Sequence, residues 1–565
     1  MTYSYSSLFL LFALGFLWPQ GNLPQARAQE DTTTAAQEFI RKYETTVVPL
    51  EISVNRAWWN ANTSGSDADF AAKEALDKQM NELLSSKEDY ALLKTIQAGK
   101  IADPQVARQI DILVLTYLNR QGDLALLNRM SAKANEIEKK FNAFRATVGE
   151  KSLADSQIRD LLLKSTDSAE RQQVWEACKL VGAQVEGDLR ELVQMRNELA
   201  HKLDFKNYHA MQLAINEQDP AAVLALFDEL DQLTRQPFAD AKAQIDTALA
   251  KLYGVEVSQL EPWHYQDPFF QEPPAVYEVD VNAPFAKADI LKICKEFYTG
   301  IGLPIDDVIE RSDLYEKPKK SPHAFCTDID RTGDVRVLAN IVLNEYWMST
   351  MLHELGHSVY TSKFIPMELP YLLRINSHIL TTEGIAMMFE RFATDPDWLK
   401  AYGVNVDDPA SYRAASHRMR RDKLLIFSRW CQVMLRFEMA MYDDPDQDLN
   451  KLWWDLVEKY QGMKRPAGRS APDFASKIHI VTAPCYYHNY IMGELFACQV
   501  HAAIARDLQL PGKAATAIYT QEPRVGKFMQ EKILDPGAFL PWNDLTKHAT
   551  GETLNAKAFA AEFGE

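Results

Sequence analysis

The chain reads as a mainly α protein with one small β-hairpin, and three observations point there. Ala, Leu, Glu, Lys and Gln fill long stretches whose apolar residues recur at helical spacing, and Gly and Pro are sparse through the first half. Only one segment, Cys326 to Ile341, departs from that pattern toward strand and turn chemistry. With 565 residues, 47% hydrophobic and 10% aromatic, there is material for a large core or several domains.

In chain order, residues 1–28 stand apart. An apolar run from Leu8 to Trp18, then Pro24 and the small-residue pattern Ala26-Arg27-Ala28, predict a signal peptide, with residues 29–565 as the mature domain, exported to a periplasm or beyond the cell. No Lys or Arg precedes the apolar run, so an uncleaved membrane anchor is the competing reading. No later segment approaches the ~20 apolar residues of a membrane helix, so no stable membrane insertion is expected after cleavage. From Thr33 to about Tyr253 successive amphipathic helices are predicted, Thr166 to His201 among them. Between Glu261 and Pro284, Pro262, Trp263, Pro268, Pro273 and Pro274 interrupt helices and predict an ordered connection. Arg331-Thr-Gly-Asp334 is turn chemistry and Val335 to Ile341 is β-like, which gives the hairpin. A strand just before a helix can offer its exposed edge to an extended peptide. Helical periodicity resumes at about Glu345 and runs to Lys363, a loop is marked by Pro366 and Pro370, and a second helix starts near Thr381.

The formal charge of -17 argues against a nucleic-acid partner. Six cysteines (Cys178, Cys294, Cys326, Cys431, Cys485, Cys498) show no C-x-x-C spacing, so neither a zinc ribbon nor a small disulfide scaffold is implied, and their pairing stays open.

The helix from about Glu345 carries Met351-Leu-His-Glu-Leu-Gly-His357. His353 and His357, one turn apart, leave the same helix face and can bind one Zn²⁺ with a position left for water, while Glu354 has the place of a general base. Glu383, with 25 residues between it and His357, is the favoured third ligand if the two helices run antiparallel; Glu390 and His378 compete. A third His six residues after His357 is excluded, because Lys363 stands there and Tyr360 replaces the glycine that pattern needs.

Further on, Lys477-Ile-His-Ile-Val-Thr482 alternates polar and apolar residues, so an extended strand would send Lys477 and His479 to one side. Pro484 would then open a helix whose face Tyr490 shares with Tyr486 or Tyr487. His479 and Tyr490 are candidate donors to an oxyanion, and Lys477 with Tyr487 or Tyr486 could hold a peptide C-terminal carboxylate. Without further information, core aromatics and a solvated lysine are the plainer explanation.

These blocks together resemble the angiotensin-converting-enzyme family of zinc peptidyl dipeptidases. The resemblance is carried by His353-Glu-Leu-Gly-His357, Thr382-Glu383-Gly384, Pro322-His-Ala324, Trp453-Trp-Asp-Leu456 with Lys459-Tyr-Gln-Gly462, and Asp473-Phe474 leading into Lys477-Ile-His-Ile480. It implies a two-lobed helical ellipsoid around a deep cleft, with one Zn²⁺ on His353, His357 and Glu383. It further implies catalytic roles for Glu354, His479 and Tyr490, and substrate binding by His323, Ala324, Lys477 and Tyr487. The implied activity is release of C-terminal dipeptides from small peptides. An oligoendopeptidase or carboxypeptidase on a similar fold is the runner-up, and a non-catalytic peptide-binding protein comes behind both. The family's paired tyrosines match Tyr487 and Tyr490 if one extra residue follows His479; otherwise Tyr486 and Asn489 align. Val457 and Asn489 replace two arginines of the family's chloride sites, so chloride activation is not expected. Met387 replaces the acidic residue that follows the zinc glutamate by four, so support for the metal must come from elsewhere. The family's carboxylate-binding Gln falls near Gln266 or Gln271.

Overall fold

The computed structural model describes residues 23–563, with side chains from Thr32 onward. The run Leu8 to Trp18, on which the leader expectation rests, lies outside the described residues. Among them, no helix is long and apolar enough to cross a membrane.

The chain is mainly helical, as expected, and among the described residues four short strands form two antiparallel hairpins. Asp and Asn caps set many helix starts: Asp219 accepts from Ala222 N before Pro220–Tyr253, and Asp408 from Ser411 N before Pro409–Asp443. Both helices carry proline in the first turn, where no backbone donor is lost. The segment Thr166 to His201 forms two helices, Ser168–Lys179 and Val181–Lys202, meeting at Leu180. One hairpin was not foreseen: β1 (Ala146–Val148) pairs with β2 (Lys151–Leu153) inside the stretch read as successive helices. Three-residue strands are too short to show a period of two, and the visible signal is Gly149, which turns the chain at φ 59°.

The expected hairpin is present as β3 (Phe325–Asp328) and β4 (Val335–Leu338), with Cys326 opposite Val337. Its exposed edge is not the strand next to the helix, as the sequence suggested. The outer side of β4 is already taken, since Asp313 N donates to Val337 O and Val337 N to Ser312 Oγ. The free edge therefore belongs to β3.

Most buried apolar side chains join one core that runs through the helices from Leu126 to Phe559. A second, smaller core belongs to the N-terminal helices: Phe39, Tyr43, Leu93, Ile110, Leu113 and Tyr117 pack together, and from beyond residue 118 only Leu372 joins their buried members. This unit is tied to the main body by Arg331 with Glu51, and by Arg108, which bonds Ala538 O and Glu217. The six cysteines are all free, four of them buried.

Candidate active site

The helix Glu345–Val359 begins where the Asn344 side chain accepts from Trp347 N, and it ends four residues earlier than the periodicity suggested, with Tyr360 N turning back onto His357 O. It packs on the helix Ile379–Glu390 at Gly356, where a Cβ would lie 2.8 Å from Ala386 Cα. That second helix in turn meets His488–Asp507 at Gly384, where a Cβ would lie 2.6 Å from Gly493 O. Backbone contact at these glycines brings His353, His357 and Glu383 together, with ligand atoms all within 4.8 Å of one another.

Their geometry fits a zinc ion. His353 Nε2 lies 3.1 Å from His357 Nε2 and 3.6 Å from Glu383 Oε2, and His357 Nε2 lies 3.9 Å from the same oxygen. Donors about 2.0–2.2 Å from a tetrahedral metal lie about 3.3–3.6 Å apart, so the set closes with small adjustments. Both Nδ1 atoms face away from the trio: that of His353 is 2.6 Å from Glu390 Oε2 and that of His357 is 2.8 Å from Thr382 Oγ1. Glu390 thus lies on the far side of His353 from the ligand trio. His378, the other competitor, instead caps the second helix by accepting from Leu380 N and packs near Trp542.

Electrostatics divides the three motif residues. Burial alone lowers the His353 imidazole, but Glu390, with Glu354 and Glu383, outweighs it and pushes His353 up to about 9. His357 goes well below its ordinary value, through burial and the neighbouring His353. Burial pushes Glu354 up to about 7; His353 and a hydrogen bond from the Cys326 backbone act the other way. That bond orients β3: because Val337 turns its backbone groups away from β3, its partner Cys326 turns its own to the free edge. By strand alternation Ala324, two residues earlier, uses the same edge. His323 beside it is exposed, with its backbone N–H on Ser321 Oγ.

The segment Lys477 to Thr482 is not extended. His479–Thr482 is a short helical turn, and Lys477 closes a 3-10 turn before it. Two polar residues spaced by two fit a tight turn as well as a strand, so the alternation was misleading. Pro484 does not open the next helix either. Cys485 follows at φ 57°, its N–H held by Glu438 Oε2 at 2.8 Å, and the helix starts only at His488.

This irregular path nonetheless gathers the expected side chains. Lys477 Nζ and Tyr487 OH both donate to Gln271 Oε1, at 2.7 and 3.2 Å. Gln266, the alternative, is spent on Ala275 N and Tyr253 OH. The sign that could have chosen Gln271 is the turn at Asp267-Pro268, in which Asp267 Oδ1 accepts from Phe269 N and Gln271 N. Tyr486 and Tyr490 pack edge to face at 5.1 Å, and Glu383 contributes to raising both phenols, after burial. Tyr487 sits with Gln271 instead, its ring 5.4 Å from His479. Burial and Lys477 lower His479 to about 4, which leaves it neutral with one ring N–H to donate. Val457 is buried, and Asn489 accepts from Gln218 at 2.7 Å. Neither position supplies a cation.

A family model described as "Angiotensin-converting enzyme" matches residues 30–262 and 268–564. Among named relatives, the angiotensin-converting enzyme of Theromyzon tessulatum is 20% identical over 607 aligned positions, covering 99% of this chain and 95% of its own length. That of Haematobia irritans exigua is 22% identical, covering 72% of each chain. That of Mesocricetus auratus is 25% identical over 48% of this chain, a match spanning only 22% of that relative's length.

Proposed function

This chain belongs to the angiotensin-converting-enzyme family of metallopeptidases, and from that premise we propose that it is a zinc-dependent peptidyl dipeptidase that releases C-terminal dipeptides from small peptides. The observation that carries the reading is the convergence of Lys477 and Tyr487 on one oxygen of Gln271. An ammonium and a phenol already aimed at one acceptor suit a peptide's terminal carboxylate, and an enzyme that anchors that group cuts at a fixed distance from it.

When bound to His353, His357 and Glu383, zinc supplies Lewis acidity at the scissile carbonyl and makes water a nucleophile near neutral pH. The chain's own groups do the rest. Glu354, at about 7, is poised to take a proton from the attacking water and return it to the departing amine. Tyr490 and neutral His479 donate to the oxygen on which negative charge develops. Ala324 and the free edge of β3 hold the peptide backbone extended, beside His323. Lys477, Tyr487 and Gln271 fix the terminal carboxylate.

The test is mass spectrometry of products from an N-terminally blocked pentapeptide, with a free or amidated C-terminus, using the zinc-loaded chain and its Glu354→Gln variant. Dipeptide loss from the free acid, slowed at least about 10²-fold in the variant and strongly by amidation, is expected. Internal cleavage indifferent to amidation would instead make the chain an oligoendopeptidase.

A further inference from the structure

We propose that Glu390 is the positioning residue that fixes the orientation and tautomer of His353, so that this metal site is braced from the seventh residue after Glu383. The inference rests on the zinc reading above. Seven residues are two helical turns, so Glu390 shares the Glu383 face, ~10.5 Å further along the axis. The position one turn after Glu383 is Met387, which packs against the apolar core and offers no carboxylate.

The geometry gives Glu390 a selective task. Its Oε2 lies 2.6 Å from His353 Nδ1, and a carboxylate at that distance keeps the ring proton on Nδ1. In the neutral ring that a metal binds, the lone pair is then left on Nε2, the atom 3.1 Å from His357 Nε2 and 3.6 Å from Glu383 Oε2. His357 differs: its Nδ1 meets the Thr382 hydroxyl, which can donate or accept and so selects a tautomer less strongly. Lys423 and Arg420, from the helix Pro409–Asp443, place positive charge near the Glu390 carboxylate. The two histidines of the motif are therefore not equivalent, and the brace on His353 dominates.

Zinc affinity, measured by chelator competition on the full chain, tests this without recourse to activity. Glu390→Leu removes the acceptor and is expected to weaken zinc binding about 10–100-fold. Glu390→Gln keeps the shape and a neutral acceptor, so it falls between Leu and the parent, and it is the variant to read if Glu390→Leu does not fold. Thr382→Val costs less than Glu390→Leu. At saturating zinc, kcat falls while KM for a free-acid peptide holds, since the hydrogen bond Glu390 makes is to His353 and not to a group that anchors the substrate carboxylate. Parent-like zinc affinity in both Glu390 variants, or a larger loss from Thr382→Val, would overturn the proposal. Weakened zinc binding in a chain that releases no dipeptides would leave this inference standing and remove the product assignment; unchanged zinc binding with dipeptide release intact would do the reverse.

Discussion

Burial among Phe269, Trp430 and Tyr487 pulls the Lys477 ammonium down to about 8, because desolvation penalises its charged form and Asp267 restores only part of the loss. The sign of the pH effect follows. The protonated form is the one that binds a carboxylate, so KM for free-acid peptides is expected to be level below about pH 8 and to climb about tenfold per pH unit above it, whereas amidated peptides show no such rise. Lys477→Met removes a charge-assisted hydrogen bond of about 1.5–3 kcal/mol, which raises KM about 10–100-fold and leaves kcat nearly unchanged. A KM for the free acid that stays flat from neutral pH to beyond 9 in steady-state kinetics would refute the anchor. Residue by residue, the sequence named His353, Glu354 and His357 because helical spacing is rigid, and Glu383 only through an assumed antiparallel pair of helices and the family resemblance. It left Gln266 and Gln271 unresolved because their separation depends on a turn whose hydrogen bonds no periodicity encodes.

Three helices are held at backbone distance by Gly356, Gly384 and Gly493. In Gly384→Ala the new Cβ would meet Gly493 O at 2.6 Å and Phe496 Cδ1 at 2.7 Å, and a backbone oxygen cannot swing aside. Such overpacking costs about 1–3 kcal/mol, and the shift it forces moves the adjacent Glu383, so both melting temperature and zinc affinity should drop. Gly187→Ala, in the helix Val181–Lys202 with nothing within 4 Å of its new Cβ, is the control and should stabilise by about 0.5–1 kcal/mol. Thermal melts of the two variants that moved alike would refute the packing argument. Elements were legible where they were long or carried turn chemistry, as in the hairpin around Arg331-Thr-Gly-Asp334. They were misread where packing overrode local pattern: Arg196 bonds the carbonyls of Ile480 and Val481 in the turn at His479, and Glu438 grips Cys485 N before the late start of the last site helix, contacts 284, 285 and 47 residues away in sequence.

At the scale of the molecule, the N-terminal helices keep a core of their own and meet the rest through a small cluster of Trp59 with Ile329 and Leu338 and a set of polar ties, so they form a unit that can open separately. Arg331→Ala removes the Glu51 pair and the ring contact with Tyr371, and leaves Glu51, a half-buried carboxylate, without its cation. Amide exchange followed by mass spectrometry should then speed up across residues 23–118, with changes elsewhere confined to the surroundings of residues 331 and 371. A uniform rise would mean that the chain opens as one body. Six cysteines are spread through this architecture without a single bridge, and burial raises the pKa of every one of them. The molecule is in that sense blind to the redox poise of its surroundings: reductants find no cross-link to break, and oxidants find thiols whose reactive thiolate form is kept scarce.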